Sequence, residues 1–140
     1  MARNPPMPQS TSNTWEWPAA VIMERKVIVN RWETCAIVRD TDVKGAPARD
    51  IVQTDKLTQT LYPGHLIRLH RDEAEGYYYN ITSPAPKVFV LWRMEEDVAR
   101  PKFLSVSYHE GSRWLDSGEN VDGVPLPPEL VPCPAGCCVL

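Results

Sequence analysis

The sequence predicts a single, mostly β domain: an antiparallel β-sandwich or small barrel of about six to seven strands, with Pro-rich irregular termini. Three observations carry this. Short runs rich in aromatic and β-branched residues recur between compact turns, as strands do. The 14 prolines among 140 residues crowd the two ends, and the stretch from Asp50 to Arg100 holds only Pro63, Pro84 and Pro86. Proline has no N–H for a ladder, so its distribution sets an ordered middle against irregular ends. Between His65 and His109 most of the apolar residues also fall on a common face when the segments are paired as hairpins, with Tyr78, Phe89 and Leu91 on the other.

Residues 1–14 (MARNPPMPQSTSNT) are rich in Pro, Ser and Asn, lack the apolar core of a signal peptide, and are expected to be disordered. Residues 15–123 are expected to be the β domain and 124–140 a Pro- and Cys-containing tail. Strand-like alternation begins at Trp15-Glu16-Trp17 and runs through residues 19–24. A basic turn at Arg25-Lys26 leads to a second strand, WETCAIV (32–38). Residues 39–49 are charged and contain Gly45 and Pro47, which reads as a loop. Residues 51–61 fit either a strand or a short helix opened by Asp50 or Asp55. Tyr62-Pro63-Gly64-His65 has the signature of a type II turn. Four strands are then expected: LIRLHR (66–71), YYYNIT (77–82), KVFVLWRM (87–94) and KFLSVSYH (102–109). A turn at 110–112, a short element at 113–116, and an extended strap at 124–131 with one helical turn opened by Pro127 or Pro128 complete the chain.

Side-chain parity assigns faces to the four strands. With Ile67 and Leu69 inward and 72–76 as a loop, Ile67 opposes Ile81, Leu69 opposes Tyr79 and Arg71 opposes Tyr77. With 83–86 as the next loop, Ile81 meets Val88, Tyr79 meets Val90 and Tyr77 meets Trp92. Continuing inward, Val90 meets Tyr108, Trp92 meets Val106 and Met94 meets Leu104. The second face then holds Arg68, His70, Tyr78, Asn80, Phe89, Leu91, Arg93, Ser105, Ser107 and His109. Phe89 and Leu91 lie in a strand that is apolar on both sides, and such a strand is normally covered on both faces. The cover is either the rest of this chain or another protein.

Composition limits the function classes. A net charge of −3 and an apolar share of 43% suit an ordinary core and argue against nucleic-acid or anionic-membrane binding. Residues 110–140 hold one basic against five acidic residues. No run approaches the ~18 apolar residues of a membrane span, and the expected compartment is the cytoplasm.

The motifs are weak. Cys35 reads as a small buried hydrophobe. CPAGCC (133–138) offers soft ligands, but a structural zinc site needs four and no His follows; a frayed terminus fits better. Cys137-Cys138-Val139-Leu140 matches a prenylation pattern whose polybasic support is missing. Asn80-Ile81-Thr82 is a glycosylation sequon by chance. Glu95-Glu96-Asp97 reads as a solvated loop. There is no nucleophile elbow, phosphate loop or dinucleotide glycine pattern. His70, Asn80, Ser105, Ser107 and His109 share one expected face, where they would form a polar cleft for a small molecule or metal.

Met23-Glu24-Arg25, Asn30-Arg31-Trp32, HRDEAEGYYYNITSP (70–84), VFVLWRMEE (88–96) and VSYHEGSRWLDSGENVDGVPLPPE (106–129) together resemble the bacterial family of unknown function 3305. Its members tend to be encoded beside molybdenum-dependent formate dehydrogenases. The resemblance implies a small cytoplasmic accessory protein for assembling or regulating such an enzyme, and it carries over no catalytic residue. Members usually continue after the PPE segment into a longer amphipathic helix, which Pro132 and Pro134 block here. The expectation is therefore a non-enzymatic accessory protein without a cofactor. It would dock on a protein partner, formate dehydrogenase or its maturation machinery, through Tyr78, Phe89 and Leu91 as apolar anchors, with Arg68, His70 and Arg93 around them. The small-molecule or metal-binding module is the alternative.

Overall fold

Residues 14–40 and 46–130 are described by a computed structural model. Among the described residues, β1 (Thr14–Lys26), β2 (Arg31–Arg39), β3 (Arg49–Gln53) and β4 (Leu57–His70) form a four-stranded antiparallel sheet in the order β2-β1-β4-β3. The strands β5 (Lys87–Glu95), β6 (Val98–Ser105) and β7 (Asn120–Pro125) form a three-stranded antiparallel sheet in the order β6-β5-β7. A 3-10 turn, Arg71–Glu73, leads from β4 into helix α1 (Ala74–Ile81), and helix α2 (Tyr108–Asp116) connects β6 to β7. A second 3-10 turn, Pro128–Leu130, follows β7.

The two sheets share one core. Val21, Met23, Ile37 and Ile67 from the first pack with Val88, Val90, Ala99 and Val124 from the second. Each fully buried aliphatic side chain contributes roughly 1.5–3 kcal/mol. At one margin β2 lies against β7, and at the other β4 lies against β6. Asp122 ties the first margin: its Oδ2 accepts from the Thr34 amide of β2 at 2.8 Å and from the Trp92 indole N–H of β5 at 2.9 Å.

Several expectations are corrected here. Residues 77–82 are not a strand; Tyr77–Ile81 belong to α1. Gly76 and Asn80, one helical turn apart, face inward, with Tyr77 half-buried beside them. Burying that stripe outweighs the β preference of three tyrosines, and Asp72, Glu73 and Glu75 suit the start of a helix. The fourth expected strand ends at Ser105, and residues 108–116 are helical. Ser107 caps that helix by accepting from the Glu110 amide at 3.2 Å.

The cross-strand pairs fall with those assignments. Ile67 stands opposite Trp17, Val90 opposite Leu104 and Asp122, and Trp92 opposite Pro101 and Asn120. The expected turn at 62–65 is instead a bulge inside β4, where Pro63 and Gly64 together oppose Ala20. Gly64 has φ +86°, the left-handed conformation that glycine supplies to such bulges. The ambiguous 51–61 stretch resolves into β3, a turn and the start of β4. Val124 and Leu126, read as the start of a tail, are core residues. Cys35 is exposed. The 1–13 segment and the CPAGCC tail lie outside the described residues.

Candidate functional site

Both helices are seated by unusually close contacts. A Cβ on Gly111 would stand 3.0 Å from the Phe89 ring, and a Cβ on Gly76 would overlap the Ser107 side chain. The absent side chains let α2 lie on β5 and α1 lie on the start of α2. Ser107 Oγ donates to Glu73 at 2.7 Å, and Arg113 donates to the same carboxylate at 3.1 Å. These bonds, the Ser107 bond foremost, hold the Glu73 carboxyl below the usual carboxylate range. Asn80 is fully buried. Its amide donates to the Lys87 and Val106 carbonyls at 2.7 and 2.8 Å and accepts from the Lys87 amide at 2.9 Å.

On the other flank of α2 lies a groove of about 350 Å³. Its floor and one wall come from β4 at Gly64, His65, Leu66, Arg68 and His70. Lys102, Phe103 and Leu104 of β6 form the opposite wall, and Glu110 and Trp114, one turn apart on α2, close the top. Phe103 is 54% exposed, with its ring centroid 6.5 Å from that of Trp114. Arg68 pairs with Glu16 at 3.1 Å and Lys102 with Glu95 at 2.6 Å, each through a single donor nitrogen. His65 is pushed below the ordinary imidazole range, first by burial, so at neutral pH it presents an uncharged ring.

The expected docking residues divide among different places. Arg68 and His70 line the groove. Tyr78 points outward from α1 at 63% exposure, while Leu91 is 2% exposed. Phe89 lies under α2, 5.4 Å from the Tyr108 ring. Arg93 pairs with Glu119 at 2.8 Å on the other side of β5. Phe89 and Leu91 are therefore covered by this chain, Phe89 by α2. The expected polar cleft does not assemble. Asn80, Ser105 and Ser107 are buried and bonded to the backbone or to Glu73, and the His109 ring lies tilted beside that of Tyr79, centroids 5.9 Å apart. Among the described residues no group of three or more His, Cys, Asp or Glu side chains is placed to hold a metal. Sequence reading missed the other groove residues, among them His65, Lys102, Phe103, Glu110 and Trp114. The Ser107-x-x-Glu110 cap signal marks the start of α2 and would have placed the last two on one helical face.

A family model described as a protein of unknown function (DUF3305) matches residues 18–133. The chain belongs to this family. The DUF3305 match takes in the first sheet from Pro18 onward, the second sheet, both helices and every residue of the groove. Neither the curated proteins nor the solved structures give a match. Among the described residues no helix is long and apolar enough to cross a membrane.

Proposed function

We propose that this DUF3305 protein is a non-enzymatic accessory protein that works by docking on another protein. Its partner is a molybdenum-dependent formate dehydrogenase or the machinery that matures it. The family resemblance supports the partner. The groove between β4, β6 and α2 supports the mode of action, and the observation that carries it is Phe103. This large apolar side chain stands half in water beside Trp114, with the cations Arg68 and Lys102 in the same groove. Aromatic residues at the centre with Arg and polar groups around them match the anatomy of protein interfaces. The docking site proposed from sequence thus moves: Arg68 and His70 stay in it, and Phe103 and Trp114 replace Phe89 and Leu91 as anchors.

The test is capture of purified formate dehydrogenase from the same organism by the tagged full chain, compared with Phe103→Asp and Lys102→Glu. Both positions are on the surface, so the fold persists in each variant. Capture by the parent chain and its loss in both variants is the expected result. Equal capture by all three would overturn the assignment to this groove.

A further inference from the structure

We infer that the tip of the β1–β2 hairpin docks on an anionic lipid surface, inserting Ile28 and Val29 among headgroups that Arg25, Lys26, Arg31 and Lys56 attract. Hairpin turns are normally built from Gly, Asn, Asp and Ser. Residues 27–30 are instead Val-Ile-Val-Asn. Ile28 is 80% exposed and Val29 66%, the two most exposed large apolar side chains among the described residues. Three bonds hold the tip in shape. The Val27 amide donates to the Lys56 carbonyl at 2.9 Å, the Asn30 amide to the Val27 carbonyl at 3.2 Å, and Arg25 Nε to Asn30 Oδ1 at 2.9 Å. An ordered turn thus presents both aliphatic side chains to solvent.

Behind the tip cations outnumber carboxylates. Lys26 and Arg31 face each other as the last cross-strand pair, and Arg25 and Trp32 are the pair before it. The Arg25 guanidinium lies 5.7 Å from the Trp32 ring centroid. Lys56, in the turn between β3 and β4, joins them through its bond from Val27. Two carboxylates stand among these cations: Glu33 pairs with Lys26 at 3.6 Å, and Asp55 precedes Lys56. The next one back, Glu24, accepts from the Gln59 side chain. Arg25, Arg31 and Lys56 make no ion pair among the described residues. The net charge of −3 argues against a membrane surface for the molecule as a whole. The charges beside the tip reach such a surface first, and those beyond a Debye length are screened.

Lipid suits this patch better than a protein partner. Two aliphatic side chains at a turn offer far less than the ~1,000 Å² of a specific protein interface. Insertion at the boundary of headgroups and acyl chains needs no shaped partner, and it gains from buried apolar area together with attraction to anionic lipid. The half-buried Trp32, two residues behind the turn, then stands near headgroup depth, where indoles are favoured. The tip lies at the Leu57 end of β4 and the groove at its His70 end, so lipid at the tip leaves the groove open.

The test is flotation of the full chain with phosphatidylglycerol vesicles, with phosphatidylcholine vesicles for comparison. We expect binding to the first that weakens with added salt, and roughly tenfold weaker binding to the second. Ile28→Ser and Arg31→Glu should each bind phosphatidylglycerol roughly tenfold more weakly. Both residues are exposed, so thermal midpoints should match the parent. Formate dehydrogenase capture should be unchanged in both, which separates this site from the groove. Absence of binding by the parent chain, equal binding of the two lipids, or parental binding by either variant overturns the inference. A dimer of the parent chain that Ile28→Ser dissolves overturns it in favour of self-association.

Discussion

Gly111 lies directly on the ring of Phe89, close enough that a Cβ there would stand 3.0 Å from Phe89 Cγ. This contact answers the question that the doubly apolar strand β5 poses. Helix α2 covers the strand at Phe89, and it also forms the top of the groove. Substituting Gly111→Val pushes α2 off the ring and costs about 1–3 kcal/mol, the usual range for overpacking. Chemical denaturation measures that loss. A variant as stable as the parent would mean that α2 does not rest on Phe89.

Asn80 is a staple rather than a ligand group. Its three bonds tie α1 to the start of β5 and to the segment after β6. Asn80→Asp keeps the shape but turns a carboxylate toward two carbonyl oxygens, with an expected loss of roughly 2–4 kcal/mol from the buried site. Denaturant midpoints check it, and a change below the noise would show that the site admits water.

Ser107 serves two elements at once, donating to Glu73 and accepting from the Glu110 amide. Ser107→Ala removes a helix cap and a bond to a carboxylate, an expected loss of about 1–2 kcal/mol. Hydrogen exchange should also quicken in the first turn of α2. Unchanged exchange there would contradict the capping role.

The acid sensitivity of the fold should come partly from His65. Burial lowers its pKa; nearby Asp40 opposes the shift and nearby Lys102 adds to it. The folded protein therefore disfavours the imidazolium more than the unfolded chain does. The stabilising contribution is complete above the unfolded value of about 6.5 and is lost as pH falls through that value toward the lower folded one. Thermal midpoints should fall between about pH 7.5 and about pH 5.5, and His65→Gln should flatten that fall. An equally steep fall in the variant would exclude His65 as its source.

The strands were more legible in the sequence than the helices, for a physical reason. Val88, Val90 and Ile67 carry strong β signals and lie buried where parity put them. Tyr77, Tyr78 and Tyr79 carry the same local signal yet form a helix, because Gly76 and Asn80 find partners only there: Ser107 beside the first, and the Lys87 and Val106 carbonyls bonded to the second. That information is long-range, and no local pattern contains it. The need for a cover over Phe89 and Leu91 was legible; the helix that lies over Phe89 is signalled locally only by the cap at Ser107. The groove depends on β4 meeting β6 across two sheets, so Arg68 and His70 were found and Lys102, Phe103 and Trp114 were not.

The most direct test of the docking account is hydrogen exchange on the complex with purified formate dehydrogenase. The account predicts slowed exchange at residues 64–70 of β4 and 102–104 of β6, with the exposed Ile28-Val29 tip of the β1–β2 hairpin unchanged. Protection at that tip, or on the Tyr78 side of α1, with the groove amides exchanging as in the free protein, would contradict it.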